Sequence, residues 1–224
     1  MLLGGNESVM LQKSYETLDN TVYNRLKEMI INKELKPLEP IVQNQLSMEL
    51  GVSRTPLRKA LGELEKEGLL LRSSKGWYAK EFKLQDMISI FEIRAVLEGL
   101  SCRMAAPNLT HADLVYMETL FREAYQQRDS QQADAYYKAD IKFHNMIMEA
   151  AGDEILQRTA LSNDILGYSF IQGLYREPKE TFTEHLEIIN ALRNRDGLAA
   201  EQLMRSHIQK AILNLKSGKI DIYK

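Results

Sequence analysis

Cysteine is scarce in this chain of 224 residues, which has a single one, Cys102. A lone thiol cannot form an internal disulfide, and this suits a protein of the reducing cytosol. Long apolar runs are missing as well, since a membrane-spanning helix needs about 18 consecutive apolar residues. We therefore expect a cytoplasmic protein in which Cys102 is a small buried side chain and not a redox group.

Neither sign of charge dominates, because 29 Lys and Arg residues face 31 Asp and Glu residues and the net charge is −2. This balance excludes a polycation, so any surface for nucleic acid must be local. Residues 18–82 have a small excess of basic side chains, and the rest of the chain is slightly acidic. The hydrophobic fraction of 44% is sufficient for one large or two modest globular cores.

Three short helices are predicted within residues 15–83, because apolar residues recur there at helical spacing. They lie near residues 21–33, 43–50 and 53–68. Gly51 and Ser53 separate the last two, since glycine favours the left-handed conformation after a helix and serine is a frequent N-cap. Residues 1–14 have no such pattern, and we expect a flexible N-terminal tail.

Two short strands are predicted after the third helix. The runs LLLR and WYAKEF are typical of strands, and the linker Ser73-Ser74-Lys75-Gly76 favours a hairpin between them. Three helices followed by a two-stranded wing form the winged variant of the helix-turn-helix, a DNA-binding domain, which we expect over residues 15–83.

Helical periodicity continues without strand signals from Leu84 onward. The periodic segments lie near residues 84–106, 110–127, 130–151, 153–174, 180–195 and 198–216. We therefore predict a mainly α fold, in which an all-α bundle of about six helices occupies residues 84–224.

The stretch GVSRTPLRKAL opens the third predicted helix with a polar, basic tip. Arg54 and Arg58 lie four residues apart and share a face, and their forked donors match guanine or phosphate. The hydroxyls of Ser53 and Thr55 suit a phosphate at the helix N-terminus. A solvated basic face is the alternative, but the order of the elements favours DNA binding.

The tip of the predicted wing adds a second basic contact. Lys75 can approach the DNA backbone or the minor groove, and Gly76 allows that approach to be close.

Histidine is also rare, and three of the four histidines lie in the last predicted helices. His144, His185 and His207 each fall on an apolar stripe, and Asp140 precedes His144 by one turn. Inward polar groups are costly unless partnered, and this donor set suits zinc, nickel or another first-row ion. The alternative is three separate core histidines with their own hydrogen bonds. His111 is expected at the surface.

The stretch LSMELGVSRTPLRKALGELEKEGLLLRSSKGW closely resembles the winged helix-turn-helix of the GntR family of bacterial transcription regulators. The runs VSRTPLR and LEKEGLL carry the resemblance. It implies that Arg54, Thr55 and Arg58 contact the operator, with Gly76 at the wing.

The second half of the chain resembles the effector domain of the FadR-type branch, often called FCD. The matching segments are IFEIRAVLEGLSCRMAA, DIKFHNMIMEAAG, EHLEIINAL and RSHIQKAI. Many members of that branch bind a metal through an aspartate and three histidines, and the resemblance assigns this role to Asp140, His144, His185 and His207. It also implies that residues 84–224 bind an effector and form a homodimer.

Arg94 lies beside an apolar stripe of its predicted helix. Its side chain can pair with Glu98 one turn later, or it can anchor the carboxylate of an effector, which the resemblance favours. Asn163 and Tyr168 are further candidates for the wall of an effector cavity.

These features together favour a transcriptional regulator over an enzyme. We expect a homodimer on palindromic DNA, acting as a repressor that a small organic acid releases by binding at the metal. A metal-dependent hydrolase is the alternative of another class, but HExxH is missing and no general base accompanies the candidate ligands. A regulator with a purely structural metal is the third possibility.

Overall fold

The computed structural model describes residues 20–30, 33–127, 134–162 and 174–218. The chain divides between Glu81 and Phe82 into two compact units. The first unit contains α1 (20–30), α2 (Gln43–Glu49), α3 (Arg54–Lys66), β1 (Leu70–Ser73) and β2 (Gly76–Ala79). None of the helices that the structure describes is both long enough and apolar enough to span a membrane.

Helix α3 follows a tight turn because its flanking residues favour one. Gly51 adopts the left-handed conformation, with φ of +64°, which terminates α2 as predicted. Ser53 occupies the N-cap position in an extended conformation, but its side chain makes no cap hydrogen bond in the described structure. Leu57 and Leu61 are fully buried, so the apolar face of α3 forms the core of this unit.

The hairpin is tighter than the sequence predicts. Strands β1 and β2 pair antiparallel, and Ser73 lies opposite Gly76, so the turn consists of two residues instead of four. Gly76 permits this with φ of +124°, a conformation that side-chain-bearing residues rarely adopt. Lys75 consequently lies at the tip of the wing.

The second unit is helical throughout the part that the structure describes. It contains α4 (Leu84–Ala105), α5 (His111–Gln127), α6 (Asp134–Ala150), α7 (Glu154–Ser162), α8 (Pro178–Arg193) and α9 (Gly197–Lys216). Its core is built from residues such as Phe121, Phe143 and Ile188. Cys102 is buried there, and burial raises the pKa of its thiol, which agrees with an inert structural role.

Helices α4 and α9 pack at close range along their length. A Cβ atom at Gly99 would lie 2.7 Å from Arg205 Cγ, and one at Gly197 would lie 2.9 Å from the carbonyl oxygen of Arg103. Glu201 of α9 also pairs with Arg103 at 2.8 Å and with Arg205 at 3.1 Å. These contacts hold α9, and with it His207, in a fixed position against α4.

The predicted fold class is confirmed: a mainly α chain with an N-terminal helix-turn-helix, a two-stranded wing and a C-terminal helical unit. The six predicted helices of the second unit appear in the predicted order. The prediction of one helix over 153–174 reaches beyond the described residues, which end at 162 in that region.

Candidate metal centre and nucleic-acid interface

Four side chains from three helices converge in the core of the second unit. Asp140 and His144 come from α6, His185 from α8 and His207 from α9, and one ligand atom of each lies within 4.8 Å of the others. All four residues are buried. The structure thus brings together the complete set that the sequence singled out.

The helical spacing explains why these polar groups face inward. Asp140 and His144 are one turn apart on α6, beside the fully buried Phe143. The ring of His185 stacks on Phe121 at a centroid distance of 4.0 Å. Aromatic packing therefore fixes the imidazoles. The inward-facing positions of these helices thus form a polar cluster inside the hydrophobic core.

Each imidazole uses Nδ1 for a partner outside the cluster. His144 Nδ1 contacts Glu98 Oε2, and His207 Nδ1 lies 2.8 Å from Glu184 Oε2. His185 Nδ1 lies 3.2 Å from the hydroxyl of Tyr136. A carboxylate beside Nδ1 fixes the proton on that nitrogen and leaves the Nε2 lone pair for the interior.

The Nε2 atoms of His144 and His185 lie beside the carboxylate of Asp140. His185 Nε2 lies 3.1 Å from Asp140 Oδ1, and His144 Nε2 lies 3.9 Å from the same oxygen. An imidazole nitrogen and a carboxylate oxygen at these distances need a proton or a cation between them. The chemistry of the donor set therefore fits a divalent ion with imidazole and carboxylate ligands.

The protonation states agree with this donor set. Burial, reinforced by the neighbouring His207, lowers the pKa of His185 to about 3, so its ring is neutral near pH 7. Burial also opposes ionisation of Asp140, but the hydrogen bond with His185 and the three neighbouring histidines together outweigh it and hold the pKa of the carboxyl below its usual range. A neutral imidazole and an ionised carboxylate are the forms that bind metals.

Glu98, Glu184 and Tyr136 were missed as members of the site by sequence reasoning. Glu98 was considered only as an ion-pair partner of Arg94, and the other two carry no motif. Burial would raise the pKa of Glu98, yet the adjacent Arg94 and His144 lower it to about 2, so it is a charged partner.

Tyr136→Phe is expected to lower metal affinity by about 10-fold, since partners of this kind contribute about 10- to 100-fold. The change removes the oxygen that contacts His185 Nδ1 and leaves the ring and the four ligands in place. Competition with a chromophoric chelator measures the affinity, and Tyr116→Phe, at an exposed position of α5, is the control. An unchanged affinity would show that Tyr136 does not orient the ligand.

A small cavity with a volume of about 40 Å³ adjoins the cluster. Its wall includes Asp140, His144 and His207 together with apolar residues such as Phe91 and Ile208. The cavity therefore presents three of the four converging residues and apolar surface to a small ligand.

Arg94 lies in the wall of this cavity and also pairs with Glu98, at 2.5 Å between Nε and Oε1. The pair with Glu98 is therefore observed, and the role of Arg94 as an anchor for an effector stays a prediction. The other two cavity candidates, Asn163 and Tyr168, lie outside the residues that the structure describes.

The predicted DNA-contacting residues are all in the first unit. Arg54, Thr55 and Arg58 are exposed at the start of α3, and Ser53 is exposed at its N-cap position. Lys75 is exposed in the turn of the hairpin, next to the half-buried Gly76. Pro56 is buried, so the first turn of α3 is anchored while its arginines remain accessible.

His111 joins neither site. It is exposed at the first position of α5, where Thr110 and Asp113 form the cap through the hydrogen bond from Asp113 N to Thr110 Oγ1 at 3.2 Å.

Comparison with protein families gives two matches. The model described as "Bacterial regulatory proteins, gntR family" matches residues 18–78, and the model "FCD domain" matches residues 89–210. The second match alone covers more than half of the chain.

Individual proteins are similar over most of the length. The HTH-type transcriptional repressor RspR of Escherichia coli (strain K12) is 25% identical over 203 residues, which are 87% of each chain. The HTH-type transcriptional regulator LutR of Bacillus subtilis (strain 168) is 29% identical, over 80% of this chain and 93% of that protein. Among solved structures, E. coli McbR/YncC has the same fold, with a TM-score of 0.73, 22% identity, and coverage of 90% of this chain and 98% of that one.

Proposed function

We propose that a metal-bound organic acid controls operator binding by this chain. The chain belongs to the gntR family of bacterial regulatory proteins and carries an FCD domain, and it is thus a DNA-binding transcriptional regulator. The observation that supports the proposal is the convergence of three Nε2-directed imidazoles and Asp140 at the end of a cavity. Asp140, His144, His185 and His207 would hold the ion, which is zinc, nickel or another first-row metal.

The bound ion would supply a Lewis-acidic position for a carboxylate. The protein's own residues supply the remainder of the site. Arg94 adds positive potential at the cavity wall while Glu98 holds it in place, and the apolar side of the cavity accommodates the body of the acid. A small carboxylic acid is therefore the class of effector that the site suits.

Operator recognition is assigned to the tip of α3. Arg54 and Arg58 would read base edges in the major groove, with Ser53 and Thr55 on a phosphate and Lys75 and Gly76 at the flanking backbone. A homodimer would place two such heads on a palindrome, with half-sites about one helical turn apart. The effector acts by binding one arrangement of the heads better than another, and we propose that it relieves repression.

A thermal-shift screen tests this function directly. Small carboxylic acids are titrated into protein loaded with zinc and into protein treated with a chelator. Zinc alone is expected to raise the melting temperature, and one class of acid is expected to raise it further only in the loaded protein. Equal stabilisation by an acid with and without the ion would mean that the acid binds independently of the metal, and this would contradict the proposal.

A further inference from the structure

Glu184 is the most heavily bonded carboxylate next to the metal centre. It lies on α8, and its two oxygens accept hydrogen bonds from three other side chains. These are His207 Nδ1 at 2.8 Å, Arg176 at 2.5 Å from Nη1 and 3.0 Å from Nη2, and Lys210 Nζ at 2.7 Å. These hydrogen bonds hold the pKa of Glu184 below its usual range, although its partial burial opposes this.

Arg176 connects this carboxylate to the cavity. It precedes α8, and it lines the same cavity as Asp140 and His207. Its side chain is 10% exposed, so it lies at the boundary between the cavity and the protein interior. An anion in the cavity would therefore meet a guanidinium that is hydrogen-bonded mainly to Glu184, with longer contacts of 3.5 Å to Glu180 Oε2 and to the carbonyl oxygen of His207.

Lys210 is a second cation that can compensate the charge of Glu184 in place of Arg176. Its side chain is 47% exposed and approaches Glu184 from α9, outside the set of residues that line the cavity. If Arg176 turned toward an anion, Glu184 would retain the ammonium group of Lys210 and the hydrogen bond to His207. A buried carboxylate is costly only when it loses its compensating charge, and here a second cation remains.

Arg94 differs from Arg176, because its partner Glu98 has no second lysine or arginine among the described groups that bond to it. Glu98 is 2% exposed, and the described groups that bond to its carboxylate are Arg94 and His144. Withdrawal of Arg94 would remove the guanidinium that compensates a fully buried carboxylate, which is strongly unfavourable. Of the two arginines in the cavity wall, Arg94 is therefore the fixed one.

Resting on the proposed function, we infer that Arg176 is the residue that the carboxylate of an effector recruits, and that Lys210 then neutralises Glu184 in its place. The same carboxylate orients His207, so recruitment of Arg176 occurs directly beside a metal ligand. Affinity for the anion thus depends on a lysine that does not contact it.

The test uses acetate as the probe and isothermal titration of the full-length, zinc-loaded protein at constant ionic strength. Arg176→Gln is expected to lower acetate affinity by at least about 10-fold, because it removes a charge-assisted hydrogen bond to the bound anion. Zinc affinity should change by less than about 3-fold, since Glu184 keeps Lys210 and still orients His207. Arg122→Gln is the matched control, because Arg122 pairs with Glu118 on α5 away from the cavity.

A double-mutant cycle isolates the role of Lys210. Lys210→Gln alone is expected to lower acetate affinity by about 3- to 10-fold, because Glu184 then retains Arg176 more strongly. In the Arg176→Gln background the same change should alter acetate affinity by less than about 2-fold, since the competition no longer exists. Additive losses would show that Lys210 acts only through its long-range charge, and would overturn the inference.

The cycle separates this inference from the function it rests on. Zinc-dependent acetate binding that is equal in the wild type and in Arg176→Gln would overturn the role of Arg176 and leave the metal-bound effector in place. Absence of zinc-dependent acetate binding in the wild type would contradict the effector site itself, and the role of Arg176 with it.

Discussion

His207→Ala is expected to lower metal affinity by more than about 100-fold, beyond the range for an outer partner, because it removes one of four converging donors. This histidine is the most informative of the three to remove. Its outer partner Glu184 keeps Arg176 and Lys210 as counter-ions, so no charge is left uncompensated in the interior. The variant should therefore fold and lose the ion selectively.

The measurement is a competition titration with a chromophoric chelator, with circular dichroism to verify the helical content. His111→Ala serves as the control, because it removes an exposed histidine from the same unit. The variant should also lose the stabilisation by zinc and by any acid that requires it. An affinity within about 10-fold of the wild type would mean that the ion is held elsewhere.

Arg54→Ala and Arg58→Ala are each expected to cost about 1–3 kcal/mol of operator binding, a loss of about 5- to 150-fold. Both side chains are exposed at the N-terminal end of α3, and forked guanidinium donors match the acceptors of guanine. Because they are neighbours on one helix face, their effects should not be strictly additive. The fold should be unaffected, since neither side chain contributes to the core.

Fluorescence anisotropy at a fixed salt concentration measures this loss, on an operator selected from random duplexes and on unselected DNA. Arg25→Ala is the matched control, because this exposed arginine of the same unit pairs with Glu34 on its own surface. A loss confined to the operator identifies base reading. An equal loss on both duplexes would restrict the arginines to phosphate contacts.

The sequence predicted those parts of the molecule that depend on local rules. Helical spacing placed Asp140 and His144 on one inward face, and the Gly51 turn and the two-stranded wing followed from the conformations that glycine and aromatic residues favour. The donor set could be assembled from sequence because its four members lie on the apolar stripes of three helices.

The outer partners of the histidines could not be predicted in this way. Tyr136 and His185 are 49 positions apart, and Glu184 and His207 are 23 apart, so only tertiary packing brings them together. Glutamates within helices are also common on solvated faces, and nothing in their spacing distinguishes Glu98 or Glu184 from such residues. Ser53 illustrates the reverse case, in which a correct N-cap position came without the hydrogen bond that usually accompanies it.

The close packing of α4 against α9 limits how a ligand can reshape the second unit. Gly197 lies against the backbone of Arg103, and Gly99 lies against the side chain of Arg205, so sliding or rotation of one helix on the other would produce clashes and we expect the pair to move as one unit. One of the four donors, His207, lies on α9, and Glu98 of α4 anchors a second donor, His144. We therefore expect movement in response to a ligand at Arg176, just before α8, because its hydrogen bonds to Glu184 can be exchanged.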